Sequence, residues 1–485
     1  MRRPSAAIVA SVFAALAAWS VATLAECPLP STPNDGYFDQ TWTGKGCITF
    51  NTDNRNAAAN GTLEKIAVTT NGNLLIGGDT STGSGSWWIG ELTAQGAFDT
   101  TFGDSDASGR ITECQLFLPG TCPSDIPEYD FVTQPDGKVL VLSDHYLART
   151  NVGGHAFDTA GVTGSLGYIT PQFQVATPYG VMYGTSGGGL SLTSGGKIFV
   201  GGYSNDSIAA YLLGGVARVN VDLSLDTTFH ATTENMITYA GGTFVDTGDY
   251  TRDRQVLIQS TGRIVLIGTK YGQDFRVSRL NADGSPDPSF GTNGTAILSS
   301  VPSPCSVSYW SYIPPRPALI DRADRILLTG QCYANGTNRT VVTRLTADGV
   351  PDTTSFGTNG YYVNAAFAAC PNTFVEPRAL AIDSAGRILV GGTCDGEFGV
   401  ERLRGDGTLD TTFGISGLAH GRFDPTSVGD EVDSIVFDRS GHPVIGGRAE
   451  LAGLEQAGVA RLTYDLIFVQ DFEIMPRGCL PPECN

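Results

Sequence analysis

The first residue to invite a chemical reading is Ser186. It sits in Gly-Thr-Ser-Gly-Gly (184–188), which formally fits the G-x-S-x-G spacing of a nucleophile elbow. That elbow needs a strand before the serine and a helix after it, so that the hydroxyl stands exposed on a sharp turn. Here a glycine-rich stretch precedes the serine and a β-type run follows it, so the match is read as chance. The five histidines, at 145, 155, 230, 420 and 442, form no H-E-x-x-H and no other metal-binding spacing. The turns "ADGSPD", "ADGVPD" and "GDGTLD" carry two aspartates each, but the D-x-[DN]-x-[DN]-G series of a calcium loop is absent. An Asp-Gly hairpin followed by an Asx turn accounts for them. No catalytic residue, metal ligand or cofactor is assigned.

A different chemistry suits the stretch "CSVSYWSYIPPRP" (305–317), which presents Tyr309, Trp310 and Tyr312. Rigid aromatics of this kind stack on sugar rings or anchor a protein partner. Asp246, Asp249 and Asp253 lie in an earlier long loop and could form an acidic mouth beside them. The competing reading is that the aromatics pack their own loop down.

The chain has 485 residues. Residues 1–25 read as an export signal: Arg2 and Arg3, an apolar Ala6–Ala18 stretch, then Thr23-Leu24-Ala25 at a cleavage site. The apolar stretch is short for a membrane anchor, and no later span is expected. Without Arg2 and Arg3 the balance is 49 acids against 28 bases, a net charge of −21. That argues against nucleic acid or an anionic membrane as partner, since both require clustered positive charge. Ten cysteines and no C-x-x-C, in an exported chain, favour disulfides over metal or thiol chemistry. The expected location is secreted, periplasmic or cell-surface.

These groups must be carried by something, and an internal repeat says what. A polar turn followed by a β run occurs seven times: before "NLLIGG", "KVLVLS", "KIFVGG", "RIVLIG", "RILLTG", "RILVGG" and "HPVIGG". The turns recur at a mean spacing of about 61.5 residues, and an open β-solenoid, whose coils are usually shorter than that, is the main competitor to a propeller. A second anchor follows each of the first six copies. It reads "FDTTFG" (98–103), "FDTAG" (157–161), "LDTTF" (225–229), "PDPSFG" (286–291), "PDTTSFG" (351–357) and "LDTTFG" (409–414). Between the anchors lies a β run ending in Arg plus an aliphatic residue, as in "VSRLNADG" (277–284) and "VTRLTADG" (342–349). The pattern resembles the bacterial delta-60 repeat over roughly residues 37–465. The resemblance implies a propeller-type fold in an exported or surface protein and implies no particular activity. Copy two departs from the pattern by losing its Phe-Gly.

Each unit holds four β runs joined by tight polar turns, and no part of the mature chain has helical periodicity. The fold class expected is all-β: a seven-bladed β-propeller of four-stranded antiparallel blades, with residues 26–465 as the ring and 466–485 as a tail. The seventh unit lacks a "DTTFG" turn and fourth strand. "FDQTWTGKGCITF" (38–50) supplies both, so residues 37–50 are expected to complete the last blade and close the ring. An Arg at 149, 218, 279, 344, 402 and 461 recurs, with an Asp eight or nine residues later in all but the last. By closure the partner of Arg461 is Asp39. The ladder is read as turn-locking ion pairs, with a repeated anion or metal site as the competing reading. Glu91 takes the Arg position in copy one and breaks the rule.

Meander geometry puts the regular turns on one face and the variable loops on the other, at about 118–129, 168–189, 231–254, 299–316, 365–378 and 422–431. Loops on a rigid scaffold are where binding usually resides. Cys332 and Cys394 occupy equivalent positions, as do Cys305 and Cys370, which predicts the bridges Cys305–Cys332 and Cys370–Cys394 on that face. Cys114–Cys122 would close a local loop. Cys27, Cys47, Cys479 and Cys484 remain, paired simply as Cys27–Cys47 and Cys479–Cys484 or crosswise. The function expected is a monomeric, non-enzymatic binding or surface-interaction module for a glycan or protein. A secreted hydrolase or lyase with carboxylates at the channel mouth and a calcium-stabilised structural protein are the alternatives.

Overall fold

The computed structural model describes most of residues 36–464. Outside it lie 1–35, 465–485 and a set of mostly loop segments, the larger ones being 53–59, 81–85, 113–128, 160–167, 170–174, 206–211, 246–250, 299–304, 306–317, 365–369 and 371–376. The described chain forms seven four-stranded antiparallel sheets and contains no helix. Each sheet is one blade, and in six of them the strands run in sequence order from the channel outward. Blade six is the clearest example, with Ala379–Ile382, Ile388–Cys394, Glu397–Leu403 and Leu418–Gly421. The seven inner strands contact one another around the ring, so the chain is a closed seven-bladed β-propeller.

The second strands read as nearly unbroken apolar runs because both faces of each blade are buried. Strand side chains alternate between faces. Leu74 and Ile76 therefore pack towards blade seven, and Leu75 between them packs towards blade two. Val265 and Ile267 face blade five, while Ile264 and Leu266 face blade three. One apolar cluster fills each of the seven blade interfaces.

Closure is made by the N-terminal segment. Cys47–Phe50 is the outer strand of blade seven and pairs antiparallel with Leu454–Arg461, Cys47 opposite Ala460 and Phe50 opposite Ala457. Sequence reasoning about the loops needs correction in the insertions. Blade three's outer strand is Gly242–Val245, inside a stretch read as inter-blade loop, and a hairpin of Thr232–Glu234 with Ile237–Tyr239 precedes it. Tyr168–Ile169 and Ser186–Leu192 are likewise strands of blades two and three. Insertions shift the repeat's phase, so position alone misplaced these strands.

Candidate functional site

The Arg/Asp ladder is formed in full. The Nε of Arg149, Arg218, Arg279, Arg344, Arg402 and Arg461 donates to Asp158, Asp226, Asp287, Asp352, Asp410 and Asp39 at 2.8–3.0 Å. The other carboxylate oxygen takes the turn's own hydroxyl, as in Thr228 to Asp226 and Ser289 to Asp287, both at 2.6 Å. Burial would raise the carboxyls of Asp39, Asp287 and Asp410. The hydroxyl donors and the arginine charges outweigh it and hold all three below the ordinary range. In blade one Asn73 replaces the cation, its Nδ2 reaching both Glu91 (2.7 Å) and Asp99 (3.1 Å).

The same guanidiniums staple neighbouring blades. Arg279 Nη1 donates to Ala347 O at 2.6 Å, and Arg344 Nη1 to Gly405 O at 2.6 Å. Under each of these arginines lies the turn's phenylalanine, with Arg279 over Phe290 at 4.8 Å and Arg344 over Phe356 at 4.6 Å. Those rings press on a positive-φ glycine of the following blade. A Cβ on Gly349 would come within 2.5 Å of Phe290, and one on Gly284 within 2.6 Å of Phe229. Every guanidinium and carboxylate of the ladder is committed to the scaffold, which answers the anion-site reading of this face.

On the variable face, Cys305–Cys332 and Cys370–Cys394 are both bridged, with Cα separations of 5.7 and 5.3 Å. Cys47 is also disulfide-bonded. Cys27, Cys114, Cys122, Cys479 and Cys484 lie outside the described residues, as do Tyr309, Trp310, Tyr312, Asp246 and Asp249. Asp253 was counted with a loop but belongs to the inner strand Thr251–Ile258, opposite Gly268 and beside a bulge. Ser186 opens a strand, which removes the elbow context.

What the fold does assemble on this face is an ionisable ridge across blades six and seven. It grows from the loop 422–433, whose run "VGDEVD" (428–433) leads into the inner strand Ser434–Phe437. Arg378, just ahead of blade six's inner strand, reaches Glu431 through Nε and Asp433 through Nη1, each at 3.1 Å. Arg448 comes from the other side, 3.4 Å from Glu431 and 2.8 Å from Glu455. Asn60 Oδ1 then accepts from the Glu455 amide and carries the network towards blade one. Burial and the charge of Glu431 push Asp433 up to about 7, against the pull of Arg378 and Arg448.

At the outer end, His420 Nδ1 meets Glu397 at 2.7 Å, and Arg422 donates to the same carboxylate at 3.3 Å. Between the two ends lies Asp430, completely buried. Its Oδ2 accepts from Ser427, and its Oδ1 has no hydrogen-bond partner among the described residues. Burial raises it to about 7. The sequence signal for this ridge was the acidic run itself. Its partners Arg378 and Arg448 were invisible because the sequence does not say which of the irregular loops meet. Among the described residues no group of three His, Cys, Asp or Glu is placed to hold a metal ion.

Fold and repeat together define a β-propeller repeat protein. Four of its repeats, at residues 194–229, 259–290, 324–354 and 386–413, match the family described as "Domain of unknown function (DUF5122) beta-propeller". No curated protein matches the sequence. Among solved structures, a NanB sialidase mutant from Streptococcus pneumoniae aligns with a TM-score of 0.36 at 9% identity, over 90% of this chain and 71% of that one. BBS1N in complex with ARL6DN gives a TM-score of 0.40 at 9% identity, over 85% and 96% of the two chains. A prolyl endopeptidase gives 0.39 at 10% identity, over 84% of this chain and 51% of that one.

Proposed function

We propose that this protein is an exported binding propeller of the delta-60 repeat type. It engages a glycan or protein partner through its variable face and performs no chemistry there. The observation that supports this most directly is the state of the perturbed carboxylates. Glu401, Asp430 and Asp433 are each displaced to about 7, the range an acid–base catalyst needs. Glu401 and Asp430 are sealed from solvent, and Asp433 is tied to Arg378. These groups hold blades and loops together, whereas a catalytic acid has to face a substrate. The disulfides support the reading too, since they brace the variable loops and suit an oxidising compartment. No helix among the described residues is long and apolar enough to cross a membrane.

The test is a glycan array and an affinity capture run in parallel on wild type and Trp310→Ala. Loss of a wild-type ligand in the variant, with an unchanged melting temperature, supports the reading. Turnover of any captured glycan, abolished by Asp433→Asn, would replace it with the hydrolase or lyase alternative.

A further inference from the structure

The loop 422–433 carries the chain from the outer strand of blade six, Leu418–Gly421, to the inner strand of blade seven, Ser434–Phe437. Its two ends are anchored by apolar side chains. Phe423 and Val432 are buried in the cluster between those blades, the Phe423 ring 5.0 Å from that of Phe398. The stretch between the anchors has no such hold, since Pro425, Thr426 and Val428 are all exposed. Backbone bonds to both blades hold it instead. The Val428 amide donates to Glu450 O at 3.1 Å and the Glu431 amide to Arg448 O at 3.0 Å, both in blade seven. The Asp430 amide donates to Gly396 O at 3.2 Å, in the hairpin of blade six. A segment fastened by few bonds and little apolar burial is the kind that opens locally while the scaffold stays folded.

The side chain of Asp430, completely buried, sits at the centre of this stretch. Ser427 Oγ touches two oxygens at once, Asp424 O at 2.8 Å and Asp430 Oδ2. A serine hydroxyl has one hydrogen to donate, and it can also accept. Both contacts are hydrogen bonds only when Asp430 is a carboxylic acid, with Oδ2 donating to Oγ and Oγ donating to Asp424 O. When Asp430 is ionised, Oδ2 accepts the hydroxyl hydrogen and the chain of bonds to Asp424 O is broken. The result is a buried carboxylate whose Oδ1 has no partner among the described residues.

The charged groups around Asp430 do not offset that charge. On the loop itself, Arg422 gives Nη1 to Ser427 O and Nε to Glu397, a carboxylate that His420 also holds. Asp424, whose carboxylate accepts from Thr426, adds a second negative charge. From blade six, Asp395 adjoins Gly396 in the hairpin. From blade seven, Glu450 lies close enough that a Cβ on Gly429 would come within 3.0 Å of its Oε2. Arg448 is engaged by Glu431 and Glu455, and Arg378 by Glu431 and Asp433. Burial therefore pushes Asp430 up to about 7, against the Ser427 hydroxyl, the Phe423 amide and Arg422.

We propose that Asp430 is a proton-operated latch: residues 424–431 are fastened to blades six and seven while Asp430 holds its proton, and lift from them when the proton leaves. The closed loop keeps a proton that the open loop gives up at about pH 4. Opening is therefore least favoured below about pH 4, grows as the pH rises towards 7, and levels off once the closed form ionises too. The loop belongs to the variable face, so lifting it reshapes part of the surface proposed for binding. The latch is tested without any partner, so it stands or falls separately from that reading.

The experiment is hydrogen exchange read by mass spectrometry on peptides from 422–433 of the full chain, with each rate divided by the intrinsic rate at that pH. In the wild type, protection of this loop should fall about fiftyfold between pH 5 and 7, while the strand Ile388–Cys394 keeps its own. In Asp430→Asn, whose side-chain amide donates to Ser427 as the acid does, the fall should be smaller by about tenfold or more. Asp433→Asn removes the neighbouring raised carboxyl and should keep most of the wild-type fall. Ser427→Ala removes a donor that lowers Asp430, so its fall should continue above pH 7, where the wild type levels off. This variant decides the matter if Asp430→Asn does not fold. Level wild-type protection from pH 5 to 7 overturns the proposal, as does a fall in Asp430→Asn as steep as the wild type's. A fall lost in Asp433→Asn but kept in Asp430→Asn gives the latch to Asp433 and overturns it too. So does a Ser427→Ala loop that levels off at the wild-type pH.

Discussion

Arg461 and Asp39 are separated by 422 residues, yet they make the same Nε-to-carboxylate bond, at 2.9 Å, that the other ladder pairs make within a single repeat. Both are nearly buried, and the guanidinium also reaches Asp438 at 3.2 Å. Asp39→Asn leaves Arg461 with Asp438 as its carboxylate partner and breaks a charge-assisted hydrogen bond, so it should lose about 2 kcal/mol in a urea melt. Amide exchange should accelerate first in Leu454–Arg461, because that strand loses its neighbour. An Asp410→Asn variant should lose comparable stability with the acceleration confined to blade six. Uniform acceleration around the ring in Asp39→Asn would count against a local lock.

The ladder and the buried acids predict opposite pH responses. Asp39, Asp287, Asp352 and Asp410 have depressed folded-state pKa values. Their contribution is present above about 4, the unfolded value, and is lost as pH falls through the folded ones. Glu401 behaves the other way. It is enclosed between blades five and six, taking hydrogen bonds from Asn364 (2.7 Å) and Tyr362 (3.0 Å), and burial raises it to about 7. Its contribution is complete below about 4.5 and disappears as pH rises to about 7, a loss on the order of 3 kcal/mol. Asp430 and Asp433, also raised to about 7, decline over the same range, so Glu401→Gln should make the fall in melting temperature between pH 5 and 8 shallower by Glu401's share and leave acid unfolding below pH 4 unchanged. A decline as steep as wild type's would show that Glu401 titrates normally.

Leu223 stands where blade four has Gly284 and blade five Gly349, in the same left-handed conformation (φ 62°), and it is fully buried. Blade two, the neighbour it faces, is the one whose turn has lost its phenylalanine. The leucine packs among Leu140, Leu147, Ile198 and Val219 at that interface, filling the space a ring takes elsewhere. Leu223→Gly should relieve about 1 kcal/mol of backbone strain but open a cavity worth about 2–5 kcal/mol. The variant should be less stable by calorimetry. Gly349→Ala should also be less stable, since its Cβ would meet Phe290, and Phe290→Leu should recover part of that loss. A neutral Leu223→Gly would show that the interface collapses without cost.

The blade count, the closing strand, the Asp39 partner of Arg461 and both described disulfides were legible because a repeat gives equivalent residues equivalent surroundings. Cys332 and Cys394 announced each other in this way. What lay outside the repeat was not legible. Gly242–Val245 was read as loop because the hairpin before it displaced it from its expected place. The pairing of Arg378 with Glu431 and Asp433 depends on two loops of irregular length meeting. Leu223 could be read as a compensation only once it was seen to face the blade with the missing phenylalanine.

The bridge Cys305–Cys332 joins the stretch before the aromatic loop 306–317 to the end of blade five's second strand. Cys332 is fully buried in the interface of blades four and five, so the bridge ties that loop to the core itself. Closing 27 residues of chain restricts the unfolded state by about 3 kcal/mol. Replacing both cysteines with serine should lower the melting temperature and release the anchor of Tyr309, Trp310 and Tyr312. If those aromatics bind the partner, affinity should fall further than in the Cys370→Ser/Cys394→Ser variant, whose bridge braces a different loop. The comparison is made by calorimetry and by binding to whatever ligand the wild type captures. Equal losses of affinity in the two variants would locate binding away from the aromatic loop, and unaltered affinity in both would place it off the variable face.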